Sequence, residues 1–308
     1  MRPIILLVIL EVFILNAILI GNPIFASLGK PQISSTEQFS KRPQDSKPPI
    51  LPTNPTATDA MLNYAVVLQK NTANPPNGIS FLDEVERQVL TLTNAERHKR
   101  RLTTLQHDAM LQTAARAHSV DMLDRDFFDH VSPEGRTPFD RIAIIHRQLI
   151  GAAGENLWEG QGYDVSDAKK LAELAVAGWM NSPGHRENIL RKEYTHLGVG
   201  GAVKGNIVKL TQNFASTQAL FQQPLPLKVK PGDNLALATI AVSQQSAPVK
   251  YGFWLSDKGV LAAEPQSINN RQVTIAPGGY RLRLYFVTSR KRNRINYIIY
   301  NGPQVVVE

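Results

Sequence analysis

The sequence predicts an α+β protein in which a region of mixed helices and strands is followed by a small all-β, sandwich-like domain. Apolar residues recur at helical spacing from residue 81 to residue 190. After residue 222 this spacing gives way to short β-rich runs interrupted by Pro, Gly, Asn and Asp. A chain of 308 residues, 43% of them hydrophobic, can form one or two domains with cores of ordinary size.

The composition limits the kinds of site that the chain can build. It contains no cysteine, so disulfides and thiolate metal sites are excluded and any metal would have to be held by His, Asp or Glu. The formal net charge is +8. This charge favours anionic partners such as wall polymers or lipid head groups, but it is equally compatible with a basic surface that only keeps the protein soluble.

The first 27 residues have the pattern of a secretory signal peptide. Arg2 precedes an apolar run from Ile4 to Ile20, and small residues follow at Ala26 and Ser27. The run approaches the length of a membrane span, so an uncleaved N-terminal anchor is the alternative. Glu11 within the run favours the signal peptide, because a carboxylate is costly at the centre of a bilayer.

Residues 28–80 are rich in Pro, Ser, Thr, Asn and Gln, which predicts a disordered extracytoplasmic linker. Pro48-Pro49 and Pro75-Pro76 oppose regular helices and central strands. Within this segment, Ala60 to Gln69 is compatible with a short helix.

Three helices are predicted between residues 81 and 150. The first begins at Phe81 and ends in a basic last turn, which suits the negative end of a helix dipole. The second places Leu111 and Met122 on one face, and His118 is expected to be a hydrogen-bonded residue packed near the core. The third runs from Asp140 to Ile150.

Two loops around these helices carry polar candidates. The loop from Asp126 to Asp140 contains His130 directly after two aromatic residues, and the pattern fits either a functional imidazole or a capped turn. Glu155 follows a glycine-rich turn that we expect at Gly151 to Gly154. A carboxylate in such a place either faces a cavity or accepts backbone hydrogen bonds.

A further helix is capped by Ser166-Asp167 and closes at Trp179. Pro183-Gly184 ends it and presents His185. A β-hairpin follows, with His196 to Val203 and Ile207 to Ala215 on either side of a tight turn. Its glycines do not form a nucleotide-binding loop, because no helix follows to bind phosphate.

The last part of the chain contains five β-rich runs between turn signals, which predicts the all-β domain at residues 222–308. The runs are Leu235 to Val242, Tyr251 to Leu255, Val273 to Ala276, Tyr280 to Val287 and Tyr297 to Tyr300. A basic turn, Arg290 to Arg294, is expected to be a solvated loop.

Three segments resemble the CAP (or SCP) domain family, which comprises the cysteine-rich secretory proteins, antigen 5 and the plant pathogenesis-related proteins. The segments are His130-Val131-Ser132-Pro133-Glu134-Gly135, Gly154-Glu155-Asn156-Leu157 and Trp179-Met180-Asn181-Ser182-Pro183-Gly184-His185-Arg186. The cysteine-free bacterial branch is the most similar. The resemblance covers roughly residues 81–216 and implies a three-layer α-β-α sandwich there.

The resemblance also implies a cleft where two His and two acidic residues can hold a divalent metal. The matching positions are His130, Glu155 and His185, which makes them the candidate ligands for zinc or another divalent ion. The family's fourth acidic position is occupied here by Ser182. Glu187 is near in sequence and is the candidate substitute, although helical geometry does not guarantee it.

The resemblance suggests two classes of function. The first is a secreted binding module for a cell-wall polymer, glycan, peptide or lipid. The alternative is a metal-dependent, peptidase-like hydrolase that uses metal-bound water, although the chain lacks the His-Glu-x-x-His and Gly-x-Ser-x-Gly motifs. A purely structural hydrogen-bond network is a third interpretation.

In each case the expected location is extracellular, cell-surface or periplasmic. No nucleic-acid partner is expected, and a membrane contact is expected only through an uncleaved N-terminal segment.

Overall fold

The computed structural model describes residues 57–243, 247–255, 258–291 and 294–308. The predicted signal peptide, the first part of the predicted linker and the centre of the basic turn at residues 290–294 lie outside these ranges. Among the described residues, no helix combines the length and the apolar character needed to cross a membrane.

Six helices and twelve strands make up the described part of the chain. In order they are α1 (Ala57–Ala73), β1 (Ile79–Phe81), α2 (Asp83–His98), β2 (Gln106–His107), α3 (Ala109–Asp124), α4 (Pro138–Ile145), β3 (Leu149–Gln161), α5 (Ala168–Asn181), α6 (Pro183–Leu190), β4 (His196–Lys204), β5 (Ile207–Phe221), β6 (Lys228–Val229), β7 (Thr239–Ala241), β8 (Lys250–Leu255), β9 (Val260–Leu261), β10 (Gln266–Ser267), β11 (Gly278–Lys291) and β12 (Arg294–Val307).

Helices cover both faces of the sheet at β3, β4 and β5, which confirms the predicted α+β fold and its three layers in that part of the chain. Phe214 and Ala215 are neighbours on β5 and therefore point to opposite faces. Phe214 packs with Trp179 of α5 in the core under α2, α5 and α6. Ala215 packs with Leu111 of α3 and with α4 on the other face. Close contact between α3 and the sheet requires glycine at residue 198, where a Cβ atom would lie 2.0 Å from the backbone nitrogen of Gln112.

The strands of the described chain form one sheet, with the order β1-β4-β5-β3-β12-β11-β8-β10 along its main path. The predicted separate β-sandwich is therefore wrong, because the C-terminal strands extend the same sheet. β12 joins β3 through the pair Asn301–Gly151, and β11 lies antiparallel to both β12 and β8. Of the five predicted β-rich runs, residues 273–276 form no strand and residues 235–242 contribute only β7.

The segment predicted as a disordered linker is folded from residue 57 onward. Helix α1 includes the short helix expected at Ala60 to Gln69, and β1 begins at Ile79. The buried residues Met61 and Leu68 of α1 pack in a cluster with residues of α3, α4 and β12. The proline-rich composition of the segment hid this helix, although its buried residues Met61, Tyr64, Ala65 and Leu68 follow a helical spacing.

The glycine-rich turn predicted before Glu155 is also wrong. Helix α4 ends at Ile145, and residues 151–154 belong to the long strand β3, paired with β5. Glycine at position 154 serves close packing, because a Cβ atom there would lie 2.1 Å from the hydroxyl of Tyr194. Glu155 therefore stands on a strand at the centre of the sheet.

Arg147, directly after α4, ties the C-terminal strands to the rest of the fold. Its guanidinium donates hydrogen bonds to the carbonyl oxygens of Leu225 and Pro226, both at 2.9 Å, and to that of Gln304 on β12. Burial lowers the pKa of Arg147 to about 10. One side chain thus joins α4, the segment before β6 and β12.

Replacing Arg147 by Met should lower the free energy of unfolding by about 2–4 kcal/mol, because these three carbonyl groups and that of Ala143 lose a donor. Urea denaturation followed by circular dichroism measures this change. The matched control is Arg271→Met, at an exposed position, which should change stability by less than about 0.5 kcal/mol. Equal stability of the two variants would show that this clamp does not hold the C-terminal strands.

Candidate functional site

The loop that carries His130 is held in place by side chains of other elements, which donate hydrogen bonds to its backbone carbonyl groups. His118 of α3 donates a hydrogen bond from Nε2 to the carbonyl oxygen of Asp129 at 2.9 Å. Lys209 of β5 donates from Nζ to the carbonyl oxygen of Phe127 at 3.0 Å. Both donors are buried. Two elements of the folded core therefore fix a segment that has no regular structure of its own.

Arg141 of α4 completes this arrangement from the interior. Its side chain is fully buried and donates to the carbonyl oxygen of His130 at 2.9 Å and to that of Arg136 at 3.1 Å. The same guanidinium donates to Oε2 of Glu155 at 2.7 Å. One cation thus binds both the loop and the carboxylate of β3.

Glu155 lies inside the protein, with 6% of its surface exposed. Its Oε1 accepts a hydrogen bond from Nδ1 of His130 at 2.9 Å, and Nε2 of His118 lies 4.0 Å away. Burial by itself would raise the pKa of Glu155, but the charge of Arg141, the nearby histidines and the bond from His130 lower it to about 2. Glu155 is therefore an ionised buried carboxylate at neutral pH.

The amide of Asn213 on β5 adds a further donor to Glu155. In the orientation that satisfies both ends of the amide, its nitrogen donates to Oε2 of Glu155 at 3.1 Å. Its oxygen then accepts from the backbone nitrogen of Ala115 at 3.1 Å. Asn213 therefore connects the carboxylate to α3.

His185 reaches the site from the other helical layer. It lies in the first turn of α6, which Pro183 opens, and its carbonyl oxygen accepts a hydrogen bond from the side chain of Asn156 at 3.1 Å. Asn188 of the same helix donates to the carbonyl oxygen of Glu155 at 3.2 Å. Burial, followed by the charge of His130, lowers the pKa of His185 to about 4. The imidazole of His185 is therefore neutral at neutral pH.

The five residues singled out from the sequence differ in where they lie. His130 and Glu155 are in direct contact, and His185 is close enough for the charge of His130 to affect its pKa. Ser182 is the N-cap residue of α6, and its side chain makes no capping hydrogen bond. Glu187 is exposed and pairs with Arg191 one turn along α6. The roles predicted for these residues stay predictions.

Arg141 and Asn213 were not recognised from the sequence, whereas the expectation for His118 as a buried, hydrogen-bonded helix residue is confirmed. The available signal for Arg141 was a charged residue directly before the apolar run from Ile142 to Ile145 in the same helix. Nothing in the local sequence indicates that this arginine contacts a carboxylate on β3.

A zinc site needs at least three ligand side chains that converge on one point. Within the residues that the structure describes, no group of three or more His, Asp or Glu residues is arranged to hold a metal ion. Both carboxylate oxygens of Glu155 accept hydrogen bonds in the interior, one of them from His130. The three residues therefore do not fit a three-ligand zinc centre in this arrangement. Glu155 instead occupies the place of a carboxylate that orients an imidazole.

A cavity of about 450 Å³ lies elsewhere, between α2 and α5. The apolar residues Leu92, Val176 and Met180 line this cavity, and Lys99 and Arg186 are among its charged lining residues. His130, Glu155 and His185 do not line this cavity. The cavity and the site around His130 are therefore separate.

Residues 90–214 match the family described as CAP, the cysteine-rich secretory protein family. The uncharacterized protein YkwD of Bacillus subtilis (strain 168) is 38% identical over 178 residues, which are 58% of this chain and 65% of YkwD. The uncharacterized membrane protein YlbC of the same organism is 40% identical over 129 residues, which are 42% of this chain and 34% of YlbC. The chain thus spans less than two thirds of either relative.

Among solved structures, an extracellular protein containing a SCP domain from Bacillus anthracis str. Ames is 34% identical. That similarity covers 43% of this chain and 40% of the other, with a TM-score of 0.36. The motifs around His130, Glu155 and His185 all lie inside the matched residues 90–214. Residues 90–214 of the chain therefore match the CAP, or cysteine-rich secretory protein, family.

Proposed function

We propose that this protein is an extracytoplasmic binding protein whose cleft at His130 and His185 binds hydroxyl groups of a cell-wall glycan. The observation that carries the proposal is the hydrogen bond from His130 to the buried, ionised Glu155. It holds the Nδ1 edge of the imidazole against Glu155, while 43% of the His130 side chain stays exposed and can meet a ligand.

The two imidazoles offer hydrogen-bond acceptors to a ligand. In neutral His130, the proton on Nδ1 is used by Glu155, so Nε2 carries a lone pair. His185 is held neutral by burial. Fixed neutral acceptors of this kind suit a ligand that donates hydrogen bonds, such as the hydroxyl groups of a sugar. Arg141 neutralises the carboxylate behind them, so the site has no excess negative charge that would repel an acidic polymer.

The extracytoplasmic location rests on the N-terminal apolar run with its basic start and small residues, which is typical of a secretory signal or an anchor. The net charge of +8 favours contact with anionic wall material. The membrane protein named among the relatives is compatible with an anchored form.

The metal-dependent hydrolase is the alternative function, and the donor set does not support it. The carboxylate of Glu155 is directed to Arg141 and His130, and its bonds to them would compete with a metal ion. Zinc titration by calorimetry tests this alternative. A single stoichiometric site lost in both His130→Ala and His185→Ala would revive it.

We expect the protein to sediment with insoluble cell walls of Bacillus subtilis, and His130→Ala and His185→Ala to weaken this binding about tenfold each, which corresponds to about 1.4 kcal/mol. Binding should persist in a chelator. The matched control is His107→Ala, which removes an exposed imidazole outside the cleft. Wild-type binding that both cleft variants retain would place the wall contact elsewhere on the protein.

Stability should fall as the pH drops below 6.5, because the folded protein resists protonation of His118. Burial and the charge of Arg141 lower the pKa of His118 to about 3, so its contribution is complete above the unfolded pKa of 6.5 and is lost as the pH falls towards the folded value. The loss from His118 alone should be about 2 kcal/mol between pH 7 and pH 5.

Urea denaturation at both pH values measures this loss. His118→Gln should remove a clear part of the difference, whereas His98→Gln, at an exposed position, should leave it unchanged. The same pH dependence in all three proteins would show that buried His118 does not cause it.

A further inference from the structure

Helix α1 lies outside the residues that match the family, yet it packs against the interior side of the candidate site. Its buried face belongs to a cluster with Ala117 of α3, Ile144 of α4 and Val306 of β12. Ala117 is next to His118, and Ile144 is one helical turn after Arg141. The helix therefore covers the two elements that supply the interior donors of the site.

Tyr64 is the polar residue on this face of α1. Only 3% of its surface is exposed, and its hydroxyl faces a group of charged and polar residues that includes Arg141, Asp121 and Ser132. Burial raises the pKa of Tyr64 to about 12, and the charge of Arg141 opposes this rise. Among the described residues, the hydroxyl of Tyr64 and the Nε of Arg141 have no hydrogen-bond partner. Tyr64 is therefore a buried neighbour of Arg141 that makes no hydrogen bond of ordinary length to it.

The guanidinium of Arg141 needs protection from water, because Arg141 is a long, flexible side chain that makes three polar contacts at once. Its two terminal nitrogens bind the carbonyl oxygens of His130 and Arg136 and the carboxylate of Glu155. An ion pair of this kind is strong only while water is excluded. Opening the inner side of the guanidinium would let water compete for the same donors and would leave Glu155 less firmly held.

We propose that Tyr64 is a positioning residue for the candidate site: its ring closes the inner side of Arg141 and thereby holds Glu155 and the His130 loop in one arrangement. This inference rests on the proposed function, because it concerns the imidazole that would contact the ligand. It also gives α1, which lies within the segment predicted as a linker, a direct part in the geometry of the site.

The imidazole ¹⁵N resonances of His130 test the proposal without any ligand. In the neutral ring, the bond to Glu155 selects the form protonated on Nδ1, and that form has a distinct pair of ¹⁵N shifts. We would record these shifts at pH 8.5 for the full chain, assign them with His130→Gln, and use Glu155→Gln as the variant that breaks the bond.

Three variants separate positioning from packing. Tyr64→Leu keeps an apolar side chain but removes the part of the ring that reaches Arg141, and it should move the two ¹⁵N shifts of His130 towards each other. Tyr64→Phe should retain the wild-type shifts, because the hydroxyl forms no hydrogen bond. Leu68→Ala removes fully buried volume from the same face of α1; it should lower the melting temperature and leave the shifts unchanged.

Unchanged shifts in folded Tyr64→Leu would overturn the proposal, and so would an equal change in Leu68→Ala, since α1 would then act only through packing. Sedimentation with cell walls is measured separately. Its failure in the wild type would contradict the proposed function without affecting the result from the ¹⁵N shifts.

Discussion

The ion pair between Arg141 and Glu155 is the interaction on which the candidate site depends. Both groups are buried, and each also makes bonds to the His130 segment: Arg141 to the backbone, Glu155 to the imidazole. Removing one partner of a buried pair typically costs about 3–5 kcal/mol, because the remaining charge is left uncompensated. Such a pair adds little to stability compared with well-packed apolar residues. Its benefit here is the fixed orientation of His130.

This pair also explains how the two halves of the site are brought together. Arg141 and His118 come from the helices on one face of the sheet, whereas His185 comes from α6 on the other face. Glu155 on β3 lies between them, and its backbone carbonyl is bound by Asn188 of α6. Glu155 therefore links the two helical layers: its carboxylate binds Arg141 of α4 on one face of the sheet, and its backbone carbonyl binds Asn188 of α6 on the other.

Much of the fold could be predicted from local patterns, but the position of Glu155 could not. The helical spacing of apolar residues identified α2, α3 and α5 because each buries one face. Gly151 and Gly154 indicated a turn, since the sequence does not show that Ser216 and Tyr194 lie too close to these positions for a side chain. The C-terminal strands were assigned to a second domain for a similar reason: an alternating pattern shows that one face is buried, but not which strand lies at the edge. Arg141 was missed because its partner is on another element.

The pKa of Glu155, measured from the ¹³C shift of its side-chain carboxyl group as the pH is lowered, tests the central claim most directly. We expect titration near 2, because Arg141 and the histidines around the carboxylate stabilise its charge. Titration at or above the ordinary value of 4.5 would contradict the account. It would mean that burial outweighs the ion pair, so that Glu155 could not hold His130 as an ionised partner.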